Sequence, residues 1–237
     1  MHMQPRRLTS QAVSLLTLTL LAASGFGCVL LLGRFWRSEN HQFAFLVWNL
    51  LLAWFPFVFA LMAADYWNPV KPKPLKGWFA LIAWLLAFPN APYIVTDFIH
   101  MKYAHGAPWW FDVAMLLTFS GTGIVLGLAS LYIVHCVVAE QLGARMGWLF
   151  ASGSMLLCGF GIYLGRFLRW NSWDVLTNPL GLVYDIAVRL VFPQDHVWTM
   201  AVSLIFGTLL GLMYLALYAF TLLEPKQEPA PIPIRER

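Results

Sequence analysis

Long runs of apolar residues without any Asp, Glu, Lys or Arg recur along the chain. A helix needs about 20 mostly apolar residues to cross the hydrocarbon core of a bilayer, and six runs reach this length. These runs are residues 8–33, 43–64, 77–96, 113–139, 147–165 and 197–223. The pattern therefore predicts an all-α polytopic bundle of six membrane-spanning helices.

Prolines modify two of the predicted spans. Pro56 lies inside the second span, where its missing N–H predicts a kink. Pro89 and Pro92 interrupt the third span, and such a break persists in lipid only where protein or a wet cavity satisfies the backbone. A broken helix of this kind often contributes to a ligand site, and a simple kink at the membrane edge is the alternative.

A shorter amphipathic stretch, residues 180–192, lies between the fifth and sixth spans. Helical spacing places four aliphatic residues on one side and the Asp185/Arg189 pair on another. The stretch is too short to cross a bilayer. It is predicted to be an interfacial helix that lies flat on the membrane, with a re-entrant hairpin as the alternative.

Composition narrows the class of protein. Of the 237 residues, 60% are hydrophobic and 11% are charged, against roughly 45–50% and about 25% in typical soluble domains. So few charges exclude a soluble enzyme, a disordered chain and a disulfide-stapled secreted module. Residues 1–223 are predicted to form one transmembrane domain, and residues 224–237 a Pro-rich, disordered cytoplasmic tail.

The positive charges are scattered over short loops and form no basic stripe, although the net charge is +4. This distribution indicates topogenic charge and contact with anionic lipid headgroups, and it argues against nucleic acid as a partner. Nine of the fifteen Lys and Arg residues fall on the side that carries both termini. The positive-inside rule therefore predicts that both termini are cytoplasmic.

Alternation of the spans brings three polar loops to one face of the membrane, whichever face that is. These loops are residues 34–42, 97–112 and 166–196. Two segments that reach this face, 88–97 and 161–174, mix acids, bases and large aromatic residues. Any chemistry of the protein is expected there.

The same segments carry a resemblance to a known family. The phrases FPNAPYIVTD at 88–97, WFD at 110–112 and GIYLGRFLRWNSWD at 161–174 resemble a bacterial family of predicted membrane proteins, domain of unknown function 1361. The resemblance extends over roughly residues 40–220. It implies a multispanning bacterial inner-membrane protein without an assigned activity, so it supplies no catalytic residues.

Four residues near this face have the chemistry of a metal site or of an acid–base pair. Asp97, His100, His105 and Asp112 combine carboxylates with imidazoles, which suit zinc, manganese or iron. In an enzyme, Asp97, His100 and Asp112 would be the catalytic candidates. The alternative is interface polarity, with Asp112 as the N-cap of the fourth span and the histidines in water.

Two arginines follow the fifth span. Arg166 and Arg169 can form a guanidinium fork for a phosphate or carboxylate. They can also extend to the lipid headgroups, or Arg166 can form a buried ion pair with Asp97, Asp112 or Asp174.

These observations predict a polar pocket at the shared face. Its predicted lining is Asn90, Tyr93, Asp97, His100, Asp112, Arg166, Arg169 and Asp174. The leading hypothesis is recognition of a small anionic or lipid-headgroup ligand, with its transport as one version. The alternatives are a membrane-embedded, metal-dependent enzyme that acts on a lipid-linked substrate, and a non-catalytic assembly partner. The chain has no nucleotide, haem or flavin signature, and a divalent metal is the cofactor compatible with these residues.

Two features inside the spans predict helix contacts. Small residues in the fourth span, Gly121, Gly123, Gly127 and Ser130, are typical of close helix packing. His135 lies deep in the same span, where it is expected to hydrogen-bond to a neighbouring helix.

Overall fold

The structure is a computed structural model, and it describes residues 7–38, 41–68, 70 and 72–222. The predicted tail, 224–237, lies outside the described residues. The described part of the chain is helical and contains no strand, which confirms the predicted fold class. The α-helices are α1 (Ser10–Ser38), α2 (Phe45–Tyr66), α3 (Pro74–Ala87), α4 (Asn90–Tyr93), α5 (Trp109–Leu142), α6 (Ala144–Arg166), α7 (Asp174–Thr177), α8 (Pro179–Val191) and α9 (Val197–Thr221).

Six helical segments are long and apolar enough to cross a membrane, as the sequence predicts. Five of them are α1, α2, α5, α6 and α9, and the sixth runs from Pro74 to Lys102. Their outward side chains are apolar, with Leu32 and Phe79 each 65% exposed. Such surfaces suit a lipid environment, so the architecture is that of a multi-pass membrane protein.

The third span is broken, as its prolines predict. Helix α3 ends at Ala87, α4 follows as one turn, and a 3-10 helix continues over Ile94–Tyr103. The Asn90 side-chain amide donates to the carbonyl of Ala87 at 2.9 Å, which satisfies a backbone group near the break. Helix α2, by contrast, continues through Pro56 without interruption.

Two helix ends differ from the predicted spans in ways that affect the polar face. Helix α1 continues past residue 33 to Ser38, so Arg34 lies within the helix and not in a loop. Helix α5 begins at Trp109, and Pro108 occupies the N-cap position. The alternative of Asp112 as an N-cap is therefore wrong, because this residue lies in the first helical turn.

Helix α5 is the central helix of the bundle. It contacts α1, α2, α4, α6 and α9, together with the 3-10 helix that follows α4. In its most apolar stretch, 89% of the residues are buried inside the protein. These helices pack around α5 and present their remaining surface outwards.

Glycines allow close contacts between the helices. A Cβ atom at residue 123 would lie 2.4 Å from the carbonyl oxygen of Ala91, so Gly123 lets α4 lie directly against α5. Gly159 has the same role between α6 and α9, where a Cβ would lie 2.3 Å from the carbonyl oxygen of Ser203. The expectation of close packing is confirmed at Gly123 but is wrong at Gly121, whose Cβ would have no neighbour within 4 Å.

Helix α8 matches the predicted amphipathic stretch. None of its residues is buried, and several of its aliphatic side chains are strongly exposed, with Leu180 at 83%. Arg189 donates to Asp185 at 3.1 Å, in the predicted i,i+4 arrangement. The helix is therefore confirmed, and its flat placement on the membrane stays a prediction.

The contact between α4 and α5 can be tested with a matched pair of glycine substitutions. Gly123→Ala and Gly121→Ala should each gain about 0.5–1 kcal/mol from helix propensity. Gly123→Ala must also open the α4–α5 contact, at a cost of about 1–3 kcal/mol from overpacking. In SDS unfolding, we expect a lower free energy of unfolding for Gly123→Ala and an unchanged or higher one for Gly121→Ala. An equal loss in both variants would contradict this packing.

Candidate functional site

The centre of the polar face is an ion pair between Arg166, the last residue of α6, and Asp97, in the 3-10 helix. Nη2 of Arg166 donates to Oδ1 of Asp97, and Nε donates to the Thr96 hydroxyl at 2.7 Å. The guanidinium carbon also lies 4.5 Å from the centre of the Tyr93 ring. This contact is a cation–π interaction. The Asp97 side chain is 1% exposed and that of Arg166 is 13% exposed.

Helix α2 joins this ion pair through Asn49. Its side-chain amide donates to Oδ2 of Asp97 at 2.9 Å, so both carboxylate oxygens have partners. A buried carboxylate is stable only when it is paired and hydrogen-bonded. The Asp97 carboxylate thus links α2, the 3-10 helix and the end of α6.

His100 completes the network. Nη1 of Arg166 lies 3.2 Å from Nε2 of His100, and a guanidinium can only donate. Nε2 is therefore the acceptor, which places the ring hydrogen of a neutral imidazole on Nδ1. The ring also packs against Phe45 of α2, with 4.8 Å between the centroids.

A second ion pair lies at the same face, between Arg34 of α1 and Asp112 of α5. Nε of Arg34 donates to Oδ1 of Asp112 at 2.7 Å, and both side chains are completely buried. Nη2 of Arg34 donates to the backbone carbonyl of His105 at 3.3 Å, and its guanidinium lies 4.5 Å from the centre of the Phe43 ring. This pair joins α1 to α5 and to the loop that precedes α5.

The structure does not bring the four predicted metal-ligating residues together. Asp97 and His100 lie against Arg166, Asp112 lies against Arg34, and His105 contributes its backbone carbonyl to Arg34. Within the described ranges, no three His, Cys, Asp or Glu side chains are close enough to hold a metal ion. Each carboxylate has an arginine partner instead, so this geometry gives no support to the metal hypothesis.

Two further residues of the predicted pocket, Asn90 and Asp174, are bound to or lie in the segment that follows α6. Asn90 accepts a hydrogen bond from the hydroxyl of Ser172 at 2.9 Å, which connects the break after α3 to this segment. The Asn171 backbone N–H donates to Asp174 at 2.7 Å and, with help from the Thr177 hydroxyl and the Asn171 amide, holds the pKa of the Asp174 carboxyl below its ordinary value. Asp174 therefore stabilises a local turn.

Arg169 differs from the other predicted residues. Its backbone has φ 62°, and it is the one non-glycine residue with positive φ in the described part of the chain. Its side chain is exposed, and no described residue pairs with its guanidinium. The neighbouring Trp170 is fixed, because its backbone N–H donates to Leu164 at 3.1 Å and its indole donates to Asp185 of α8 at 2.8 Å.

Two cavities of the described chain lie away from this network. One, of about 70 Å³, lies between α1, α2 and α5 and is lined by residues such as Leu8, Leu61 and Cys136. The other is an open groove between α2 and α3, lined by residues such as Phe59 and Phe79. Neither contains a residue of the predicted pocket. The predicted side chains thus meet in a packed network and do not line either cavity.

Most of the chain, including this face, matches a known family. The model of a family described as a protein of unknown function, DUF1361, matches residues 48–213. The chain belongs to the DUF1361 family. No curated protein and no solved structure is significantly similar to this DUF1361 chain.

The structure brings together four of the eight residues that the sequence analysis assigned to one pocket, and three further residues of the two ion-pair networks were missed. Tyr93, Asp97 and His100 all contact Arg166. Asn49 and Thr96 were missed. Asn49 did carry a signal, because a side-chain amide within an apolar span indicates pairing with another helix. Arg34 was counted as a loop charge, so its pairing with Asp112 was missed as well.

The buried Arg34–Asp112 pair of this DUF1361 protein predicts a large effect of single substitutions. Asp112→Asn leaves the arginine buried without its counter-charge, so the free energy of unfolding should fall by about 3–5 kcal/mol. The double variant Arg34→Met with Asp112→Leu should recover most of this loss, because neither charge remains. SDS unfolding in mixed micelles measures both.

The control for this experiment is the exposed pair at the opposite face. Arg7 donates to Glu140 at 2.8 Å, and their side chains are 34% and 38% exposed. Glu140→Gln should cost less than about 1 kcal/mol, because water solvates the released arginine. Comparable losses in Glu140→Gln and Asp112→Asn would contradict the difference in burial.

The acceptor role of His100 predicts opposite outcomes for two substitutions. His100→Gln retains an oxygen that can accept from Arg166, so the stability should stay close to that of the wild type. His100→Lys puts a second cation against the guanidinium and removes an acceptor, at a cost of about 1.5–3 kcal/mol. Thermal unfolding in detergent compares them. A Gln variant that is less stable than the Lys variant would show that His100 is not an acceptor here.

Proposed function

We propose that this DUF1361 protein binds anionic lipid headgroups at the polar face, with Arg169 as the contact for the headgroup phosphate. In this proposal the Arg166–Asp97 network holds the segment after α6 in place and does not itself bind the ligand. A membrane protein that recognises a particular headgroup can organise lipids or present them to a partner.

The observation that carries the proposal is the left-handed backbone of Arg169 together with its exposed side chain. A non-glycine residue in the left-handed region costs about 1–3 kcal/mol and persists where its surroundings impose it. Here Arg166 on one side and Trp170 on the other are both held by hydrogen bonds. The result is an exposed arginine on a fixed backbone, without a carboxylate partner among the described residues.

The surroundings of Arg169 favour a lipid over a soluble anion. The indole of Trp170 donates to Asp185, so α8 lies beside this segment, and several aliphatic side chains of α8 are exposed. Amphipathic helices of this kind lie in the interface between headgroups and acyl chains. A guanidinium next to such a helix is at the level of the lipid phosphates.

The Arg166 side chain is less suited to binding a phosphate or carboxylate together with Arg169, which is the role that the sequence suggested. Its three nitrogens contact Thr96, Asp97 and His100, so a fork of two free arginines does not form. Transport would need a polar path, and neither described cavity passes this network. Headgroup binding at the surface needs only Arg169 and the hydrogen bonds of Arg166 and Trp170 that hold its backbone.

The proposed cellular location is the bacterial inner membrane, with both termini in the cytoplasm. The distribution of Lys and Arg supports this orientation, because nine of the fifteen fall on the side of the termini. Arg169 would then bind headgroups of the outer leaflet of that membrane.

Lipid-dependent thermal unfolding tests the role of Arg169. In detergent, phosphatidylglycerol should raise the Tm of the wild type more than phosphatidylcholine does. Both lipids carry a phosphate that Arg169 can bind, but the choline cation compensates the phosphate charge of phosphatidylcholine and repels the guanidinium. In Arg169→Gln, most of this difference should disappear. Inorganic phosphate tests whether a soluble anion is sufficient. A similar rise in Tm with inorganic phosphate would contradict a lipid as the ligand.

Arg145→Gln is the matched control for this test. Arg145 is also exposed and lies near the first residue of α6, at the opposite end of the helix from Arg169. This variant should keep the full response to phosphatidylglycerol. An equal loss in both variants would indicate a general charge effect and would overturn the proposed site.

A further inference from the structure

A second polar cluster lies among aromatic rings near the opposite end of the bundle. It consists of His135 of α5, Trp148 of α6, and Tyr214 and Tyr218 of α9. The His135 ring lies 4.6 Å from that of Trp148, and the Trp148 ring lies 4.9 Å from that of Tyr218. These contacts enclose the imidazole between three helices.

One imidazole nitrogen has a direct partner. Nδ1 of His135 lies 2.6 Å from the hydroxyl of Tyr214, which confirms the expected hydrogen bond to a neighbouring helix. Both residues are completely buried. The bond joins α5 to α9 inside the bundle.

Two further polar atoms of the cluster have no partner among the described residues. They are Nε2 of His135 and the hydroxyl oxygen of Tyr218, and both are buried. His135 is 0% exposed and Tyr218 is 3% exposed. A buried polar group without a hydrogen bond is strongly unfavourable, so two such groups in one cluster indicate a shared partner.

We propose that one buried water molecule binds between α5 and α9 and hydrogen-bonds both Nε2 of His135 and the hydroxyl of Tyr218. The centroids of the two rings are 6.1 Å apart, so the two residues are close neighbours between which one small molecule can bridge. Water both donates and accepts, and it therefore satisfies the imidazole in either tautomer. Buried waters typically bridge groups of this kind.

The size of the site favours water over a larger ligand. Trp148 packs against both His135 and Tyr218, which leaves little room between the rings. On the side of α6, a Cβ at residue 147 would lie 2.8 Å from Cδ2 of His135, so the Gly147 backbone lies close to this edge of the ring. The occupant is therefore small and polar.

Such a water would connect α9 to α5 at a second point, beside the His135–Tyr214 bond. Helix α9 packs mainly against α6, and its contact with α5 is less extensive. Two hydrogen-bonded links in this contact would fix the rotation of α9 about its own axis. The water is thus a structural ligand of the bundle, independent of the proposed headgroup site.

The sign of one substitution separates a bound water from an unpaired hydroxyl. If the Tyr218 hydroxyl binds water, Tyr218→Phe removes one of the two partners of the water. The water is then released, Nε2 of His135 is left unpaired, and Tm should fall by about 2–4 °C. If the hydroxyl is unpaired, its removal should leave Tm unchanged or raise it, which would overturn the proposal. Tyr184→Phe, on the exposed surface of α8, is the control that should leave Tm unchanged.

NMR provides an independent measurement on the same purified protein. A bound water should give an NOE to the carbon-bound ring protons of His135, assigned by their absence in His135→Asn. This signal should disappear in Tyr218→Phe and persist in Tyr184→Phe. Absence of the NOE in the wild type would overturn the proposal, as would an organic molecule found bound to the protein by native mass spectrometry and released by Tyr218→Phe.

Discussion

A charge inside a bundle of low dielectric constant needs an opposite charge beside it, and two arginine–aspartate pairs meet this need at one face of the protein. Arg34 with Asp112 joins α1 to α5, and Arg166 with Asp97 joins α6 to the broken third span. Asn49 adds α2 to the second pair. The relative positions of five of the six spans at this face therefore depend on these ionic contacts.

The same pairs determine which chemistry remains accessible. A buried carboxylate that is paired with an arginine is already neutralised, and the paired arginine is a weak site for another anion. Asp97, Asp112, Arg34 and Arg166 are all engaged in this way. In the proposed function, the headgroup is therefore bound by a group outside the pairs, Arg169, which is exposed beside them.

The spans could be predicted from sequence because the thickness of the bilayer fixes the length of an apolar helix. The break after α3 could be predicted as well, since Pro89 lacks the N–H that a continuous helix requires. The pairing of the charged residues could not be predicted, because alternation of the spans shows which loops share a face but not which helices are neighbours. Arg34 is an example: it lies inside the bundle because α1 extends to Ser38, beyond the predicted end of the first span at residue 33.

The buried pair between α1 and α5 also constrains how the protein is made. Arg34 and Asp112 are 78 residues apart, so Arg34 leaves the ribosome long before its partner exists. Until α5 is inserted, the guanidinium must remain among the headgroups and water at the end of α1, because an unpaired charge is costly in lipid. The ionic contact between α1 and α5 is therefore a late step of biogenesis, and it follows insertion of the fourth span.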